Sequence, residues 1–132
     1  MEIEKKNRFY KNNRQTGSDY EKAAADYLEK NGYQILERNY RNKCGEIDII
    51  AYDQEKKTLV YIEIKYRSTL RCGDPLEAVD LKKRKRIFLA ASYHYAISGY
   101  KISEYCRFDV IAFYGDKKIQ HIKNAFDWNE CR

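Results

Sequence analysis

Two carboxylates and a lysine stand where a half-buried sheet would ordinarily carry apolar side chains. They belong to Glu46-Ile47-Asp48-Ile49-Ile50-Ala51 and Val60-Tyr61-Ile62-Glu63-Ile64-Lys65, two runs otherwise dominated by β-branched and aromatic residues. Successive side chains on a strand point to opposite faces. In the first run Ile47, Ile49 and Ala51 share one face, and the other begins with Glu46 and Asp48 before turning apolar at Ile50. In the second, Val60, Ile62 and Ile64 share a face, while Tyr61, Glu63 and Lys65 form the other. The stretches 46–52 and 58–67, joined by the polar turn 53–57, read as an antiparallel hairpin. If Asp53 faces Thr58, the register sets Asp48 opposite Glu63, with Cβ atoms about 5 Å apart.

Carboxylates that close repel and raise each other's pKa unless a cation lies between them. With oxygen donors alone, and no His or Cys nearby, the pair suits a hard ion, Mg²⁺ or Mn²⁺, also held by water and substrate phosphate. Such an ion polarises a phosphodiester and promotes attack by water near neutral pH. Lys65, one strand step beyond Glu63, is positioned to orient that water or to stabilise charge developing on phosphate oxygens. The competing interpretation is a surface cross-strand ion cluster, in which the same residues pair without doing chemistry. The apolar setting argues for partial burial, where unpaired carboxylates are costly.

These residues need elements to hold them. Ser18-Asp19-Tyr20-Glu21 has the S-x-x-E form of a capping box, followed by Tyr20, Ala23, Ala24, Tyr27 and Leu28 at helical spacing until Gly32. Glu21 is thus explained as a cap. Glu21, Ala24, Ala25 and Leu28 also fall at i, i+3, i+4 and i+7, which borders the face that would pack on a sheet. Residues 33–40 read as a strand ahead of the hairpin. Asp74-Pro75-Leu76-Glu77 reads as the start of a longer helix reaching about Ile97, with a possible restart at Asp80. Strands follow at 105–114 and 119–123, around a turn at Gly115-Asp116-Lys117. The order αβββαββ predicts an α/β fold with a mixed central β-sheet flanked by helices. Residues 1–16 read as a polar, mobile N-terminal arm or short irregular lead-in, and residues 17–132 as a single domain.

The chain has 132 residues, 43% hydrophobic and 35% charged, with six Gly and one Pro, a globular composition. It has no apolar run of the roughly 20 residues that span a bilayer, and Met1-Glu2-Ile3-Glu4-Lys5-Lys6 lacks the apolar stretch of a secretory signal, so a cytoplasmic location is expected. Four widely spaced cysteines without zinc-type spacing predict free thiols. Lys and Arg number 26 against 20 Asp and Glu, a formal charge of +6. That excess suits a nucleic acid or another anionic partner. Its densest run, Lys82-Lys83-Arg84-Lys85-Arg86, begins the second major helix, where cations oppose the helix dipole. Phosphate contact or simple solvation would each account for it. Arg38, Arg41, Lys43, Arg67 and Arg71 add a basic rim near the strand ends. Tyr40 and Tyr66 lie among them, suited either to stacking on bases or to packing. His94 and His121 read as isolated structural residues, Asp109 as a buried structural carboxylate, and Cys44 as a thiol without a His to activate it.

Together, Gly45-Glu46-Ile47-Asp48-Ile49-Ile50-Ala51 and Glu63-Ile64-Lys65-Tyr66-Arg67 resemble the PD-(D/E)xK nuclease superfamily and, within it, the bacterial YraN family. Further matching stretches are Gly32 to Tyr40, Glu77-Ala78-Val79, Arg107-Phe108-Asp109-Val110 and Asn124-Ala125-Phe126, so the likeness spans about residues 17 to 128. It departs at Ile47, where the superfamily's name has Pro, and at Tyr20, where a small residue is more usual. The resemblance implies a restriction-endonuclease-like sheet similar to archaeal Holliday-junction resolvases. It also implies a metal site of Glu21, Asp48 and Glu63, with Lys65 as catalytic lysine. The implied activity is Mg²⁺- or Mn²⁺-dependent endonucleolytic cleavage of branched or non-standard DNA, with a homodimer as one arrangement. The rival is a non-catalytic nucleic-acid-binding module that keeps the nuclease fold.

Overall fold

A computed structural model describes the backbone of residues 13–67, 81–115 and 118–126, and the side chains of all of these except 13–18 and 67. Helix α1 (Asn13–Lys30) leads into the strands β1 (Tyr33–Asn42), β2 (Gly45–Asp53) and β3 (Thr58–Arg67). Helix α2 (Leu81–His94) follows, continued by a π-helical turn (Tyr95–Gly99) and a last α-helical turn (Tyr100–Ile102). Strands β4 (Tyr105–Tyr114) and β5 (Ile119–Phe126) complete the order. The sheet runs β1-β2-β3-β4-β5; β3 and β4 are parallel and the other neighbours antiparallel. This is the expected mixed sheet with helices, consistent with a restriction-endonuclease-like fold.

Several details differ from expectation. α1 passes straight through Ser18, so the S-x-x-E run lies inside the helix and Glu21 caps nothing. The long apolar stripe that follows outweighs the local capping preference. The second helix gives way to a π turn at Tyr95, where the Tyr95 hydroxyl donates to the carbonyls of Ser103 and Glu104 at 2.9 and 3.1 Å. Gly99 is required there by space. A Cβ on it would lie 2.8 Å from Tyr95 Cδ2 and 3.1 Å from the Tyr61 hydroxyl. β5 runs three residues beyond Lys123. Of the arm expected at residues 1–16, the last four already belong to α1, while residues 1–12, the helix start at 74–77, Arg71, and Asp116 and Lys117 of the last turn lie outside the described residues.

Two apolar layers sandwich the sheet. On one side Ala24, Ala25 and Leu28 of α1 pack on Ile49, Ala51, Val60, Ile62, Ile111 and Phe113. On the other, Ile87, Ala90 and Ala91 of α2 pack on Ile47, Ile50, Tyr61, Phe108, Val110 and Phe126. Ile47 therefore joins Ile50, not Ile49 and Ala51, and the strict alternation expected of β2 breaks between residues 47 and 50.

His94, at the end of the α2 stripe, is buried. It is not isolated: its Nδ1 lies 2.9 Å from the Tyr61 hydroxyl and its Nε2 3.7 Å from Glu37. Burial lowers its pKa from the ordinary 6.5, with Glu37 pulling weakly the other way. The unfolded chain therefore binds this proton more readily than the folded one. The stability His94 provides is present above pH 6.5 and is lost as pH falls through the depressed folded value. In urea titrations across this range, His94→Gln is expected to flatten the loss of stability below pH 6.5. An unchanged slope would assign that loss to other groups.

Candidate active site

The hairpin forms in the expected register, Asp53 facing Thr58, and the β2-β3 ladder runs as far as Ile49 facing Ile62. Asp48 and Glu63 lie one step further, where no ladder pair remains. β3 continues to pair with β4 up to Arg67 facing Tyr114, so it parts from β2 while staying in the sheet. The Asp48 carboxylate bridges the notch, its Oδ2 accepting a 2.8 Å hydrogen bond from the Ile64 backbone N–H. A side chain thus replaces the missing strand partner and satisfies a backbone donor. The Asp48 and Glu63 carboxyls come within hydrogen-bonding range of each other. Burial first, and the Glu63 charge second, push the Asp48 pKa well above the carboxylate range, against the pull of the Ile64 bond.

Glu63 is 6% exposed and is met by two ammonium groups on the same oxygen, Oε1: Lys65 at 3.4 Å and Lys83 at 2.6 Å. The two lysines are tuned oppositely. Burial, then the neighbouring Lys83, lowers the Lys65 pKa. At Lys83 burial is the largest single influence and acts downward, but hydrogen bonds to Glu63 and Lys65 together with the charges of Glu63 and Asp48 outweigh it and hold the ammonium above its ordinary pKa. Half-buried Lys83 continues the line of the buried stripe of α2, four residues before Ile87 and in line with Ala90, Ala91 and His94. Helical spacing sets both Lys83 and Arg84, the two half-buried members of the run 82–86, on this side of the helix, a signal hidden when the run is read as one block.

Glu21 sits on the equivalent stripe of α1, one turn before Ala24 and Ala25, and is 9% exposed. Its Oε1 is buried without a hydrogen-bond partner, Arg38 Nε standing 3.8 Å away. A buried carboxylate oxygen in that state is costly unless a cation or a proton completes it. Among the described residues no three His, Cys, Asp or Glu side chains converge closely enough to enclose a metal ion by themselves. Mg²⁺ does not demand such a cage, because one or two carboxylates with water and substrate phosphate suffice. The Asp48–Glu63 pair therefore fits, by donor type, the ion the sequence implies; Glu21, with its unsatisfied oxygen, is not brought into one group with the pair and does not line the cleft they open on.

The pair opens on a cleft of about 760 Å³ between α2 and the β1-β2 turn, with Asp48 and Glu63 in its lining. Arg41, Lys43, Lys82, Lys83 and Arg86 supply its cations. The turn is braced by Asn42, whose Oδ1 accepts from the Cys44 backbone N–H at 2.8 Å and whose amide donates to the Ala90 carbonyl at 3.1 Å. Gly45 lets β2 start beneath the helix, since a Cβ there would lie 3.2 Å from the Arg86 carbonyl. Arg41 pairs with Glu46 at 3.0 Å, and Lys43 lies over the Tyr93 ring. The basic run divides: Arg84 lies over Phe126, Lys85 is exposed, and neither lines the cleft. Tyr66 stacks on Tyr20 with ring centroids 4.9 Å apart, on the α1 side where Tyr20 also meets Phe113. Tyr40 packs against the α2-side layer. The Arg67 side chain lies outside the described residues. Cys44 and Cys106 are free thiols.

Asp109 is fully buried, as its apolar strand suggested, and holds a network that sequence reasoning missed. Arg107 donates to it through Nε at 3.0 Å and Nη2 at 3.2 Å, His121 Nε2 lies 2.7 Å away, and the Asn124 N–H donates at 3.0 Å. Arg107 also donates to Asp53 at 2.9 Å and to the Tyr33 hydroxyl at 2.7 Å, while His121 Nδ1 faces the Tyr27 hydroxyl at 3.0 Å. His121 is therefore structural, as expected, but not isolated.

The model of the "Uncharacterised protein family UPF0102" matches residues 20–113. A UPF0102 protein of Clostridioides difficile is 47% identical over 116 residues, covering 87% of this chain and 99% of its own length. One from Lachnoclostridium phytofermentans is 44% identical over 116 residues, covering 88% and 96%. One from Caldanaerobacter subterraneus is 42% identical over 121 residues, covering 87% and 97%.

Proposed function

This chain belongs to the UPF0102 (YraN) family, and from its paired carboxylates and lysines in a basic cleft we propose that it is a divalent-metal-dependent endonuclease. The observation that carries the reading is the convergence of Asp48 and Glu63 where β2 and β3 part, with Lys65 against Glu63. No catalytic purpose is needed for a hairpin to separate there, yet the separation buries two acids together, which costs stability in the metal-free fold.

Asp48 and Glu63 would hold Mg²⁺ or Mn²⁺, with Glu21 as the third ligand that the family resemblance implies, and the bound ion would supply the Lewis acidity that polarises the phosphodiester. The Ile64 N–H fixes the Asp48 carboxylate in place, so little reorganisation accompanies loading. Lys65, its proton loosened by burial, stabilises charge on the phosphate oxygens or hands a proton to the leaving oxygen. Lys82, Arg86, Arg41 and Lys43 grip the nucleic-acid backbone along the cleft. Branched or otherwise non-standard DNA is the proposed substrate, and a twofold homodimer would cut a symmetric junction on both strands. The reaction is assigned to the cytoplasm; no helix among the described residues is long and apolar enough to cross a membrane.

The test is incubation of the protein with labelled duplex, single-stranded, flap and four-way-junction DNA, with Mg²⁺, with Mn²⁺ and with chelator. Metal-dependent cleavage of the branched substrates is expected. Binding without cleavage under every condition would favour a non-catalytic module, and cleavage that persists in chelator would overturn the mechanism. For the cleft, Lys82→Glu with Arg86→Glu is expected to weaken DNA binding on every sequence. It should also flatten the plot of log affinity against log salt by about two units of slope, about 0.9 per lost phosphate contact. An unchanged slope would remove this helix from the interface.

A further inference from the structure

The shortest contact to the acidic pair comes from the protein itself. Lys83 places its ammonium 2.6 Å from Glu63 Oε1, closer than Lys65 at 3.4 Å, although Lys65 is on the same strand as Glu63. Its side chain is 41% exposed against 7% for Glu63, so it reaches inward from the cleft wall to a buried partner. Its Cα lies on the stripe that anchors α2 to the sheet, so the approach is set by helix packing. Lys82 and Arg86 line the same wall, but the ion pair to Glu63 is formed by Lys83.

We infer that Lys83 is the resident counter-ion of the Asp48–Glu63 pair, occupying it until a divalent cation takes its place. The inference rests on the proposed metal site and adds a positioning residue to it. An ammonium on a lone pair of Glu63 Oε1 and a metal ion on that same lone pair exclude each other, and even on separate lone pairs two cations this close repel. The free energy that Lys83 gains from Glu63 is therefore subtracted from metal affinity. Once released, the ammonium still lines the cleft, on a flexible four-carbon stem that brings it to the substrate phosphate. The carboxylates thus carry a cation in both states, and metal loading turns one lysine outward toward the nucleic acid.

The test compares Mn²⁺ binding, without nucleic acid, to wild type, Lys83→Met and Lys83→Arg, by calorimetry and by the electron-paramagnetic-resonance signal of free Mn²⁺. Met keeps the length and apolar stem of the side chain without its charge, and thermal melts confirm that each variant is folded. Lys83→Met is expected to bind Mn²⁺ about tenfold more tightly, or better, because a competing charge is gone. Lys83→Arg should restore affinity to near the wild-type value. Equal or weaker binding by Lys83→Met, with wild type binding normally, overturns the counter-ion role and leaves the nuclease reading standing. Failure of all three proteins to bind Mn²⁺ overturns both.

Discussion

Asp48→Asn is expected to abolish metal-dependent cleavage and, in the same protein, to raise the melting temperature of the metal-free fold above neutral pH. Cleavage should fall by about three orders of magnitude, the equivalent of roughly 4 kcal/mol of lost transition-state charge stabilisation. The gain in stability has a separate cause. Burial and the Glu63 charge raise the Asp48 pKa, so the ionised carboxylate is disfavoured in the folded state. A group whose folded pKa lies above its unfolded value supports folding in acid and ceases to do so as pH rises through the folded pKa. Asn keeps an oxygen to accept the Ile64 N–H and carries no charge, so it escapes that loss. The advantage should amount to a few degrees, about 1 kcal/mol in a domain of this size, and should fade as pH is lowered and Asp48 is protonated. Added Mg²⁺ should reverse the order by stabilising the wild type alone. Scanning calorimetry at several pH values, with and without Mg²⁺, measures all of this. A variant less stable than wild type in alkaline, metal-free buffer would show that Asp48 is a structural ligand of the hairpin and not a strained functional group.

The largest loss of stability is expected at Asp109, on the opposite layer of the sheet. Asp109→Ala removes the acceptor for two Arg107 donors, for His121 and for the Asn124 N–H, all in a fully buried setting. Arg107 retains Asp53 and Tyr33, but the carboxylate side of the network disappears. Breaking a buried ion pair by deleting one partner costs about 3–5 kcal/mol, most of it from the charge left behind. Urea unfolding should show that loss as a lower midpoint. Asp109→Asn, which keeps one acceptor oxygen, should fall between the variant and wild type. A loss below about 1 kcal/mol would mean that water or a rotated Arg107 replaces the carboxylate.

Legibility in the sequence followed the range of the interactions involved. β3 was readable to its ends because alternation and the polar turn at 53–57 are local signals, and the register Asp53 to Thr58 came with them. The carboxylate pair came with that register. What local pattern could not reveal was that β2 and β3 stop pairing at Ile49 and Ile62, since that depends on β3 continuing along β4. The capping box at Ser18 misled for a related reason: a valid local motif gave way to a helix whose apolar face is fixed by the sheet beneath it. Arg107 was hidden because its partners Asp53, Tyr33 and Asp109 come together only in the folded sheet. Lys83 was legible only in part, because it and Arg84 both fall in line with Ile87, Ala91 and His94, and no local pattern tells which of the two reaches Glu63 and which lies over Phe126.

The parallel pairing of β3 with β4 also bears on how the molecule assembles. β1, β2 and β3 form a meander of neighbours in the chain, so Asp48 and Glu63 can meet early through short loop closures. Thr58 finds Tyr105 only after the intervening chain has crossed over, which makes that pairing the slow, long-range event. Lys83 lies in the crossover. The acids, with Lys65 beside them on β3, are therefore brought together by the fast part of folding and receive the Lys83 ammonium in the slow part. Divalent cations present during refolding would meet the pair before its built-in competitor arrives, so metal and helix docking become rivals in time as well as in space.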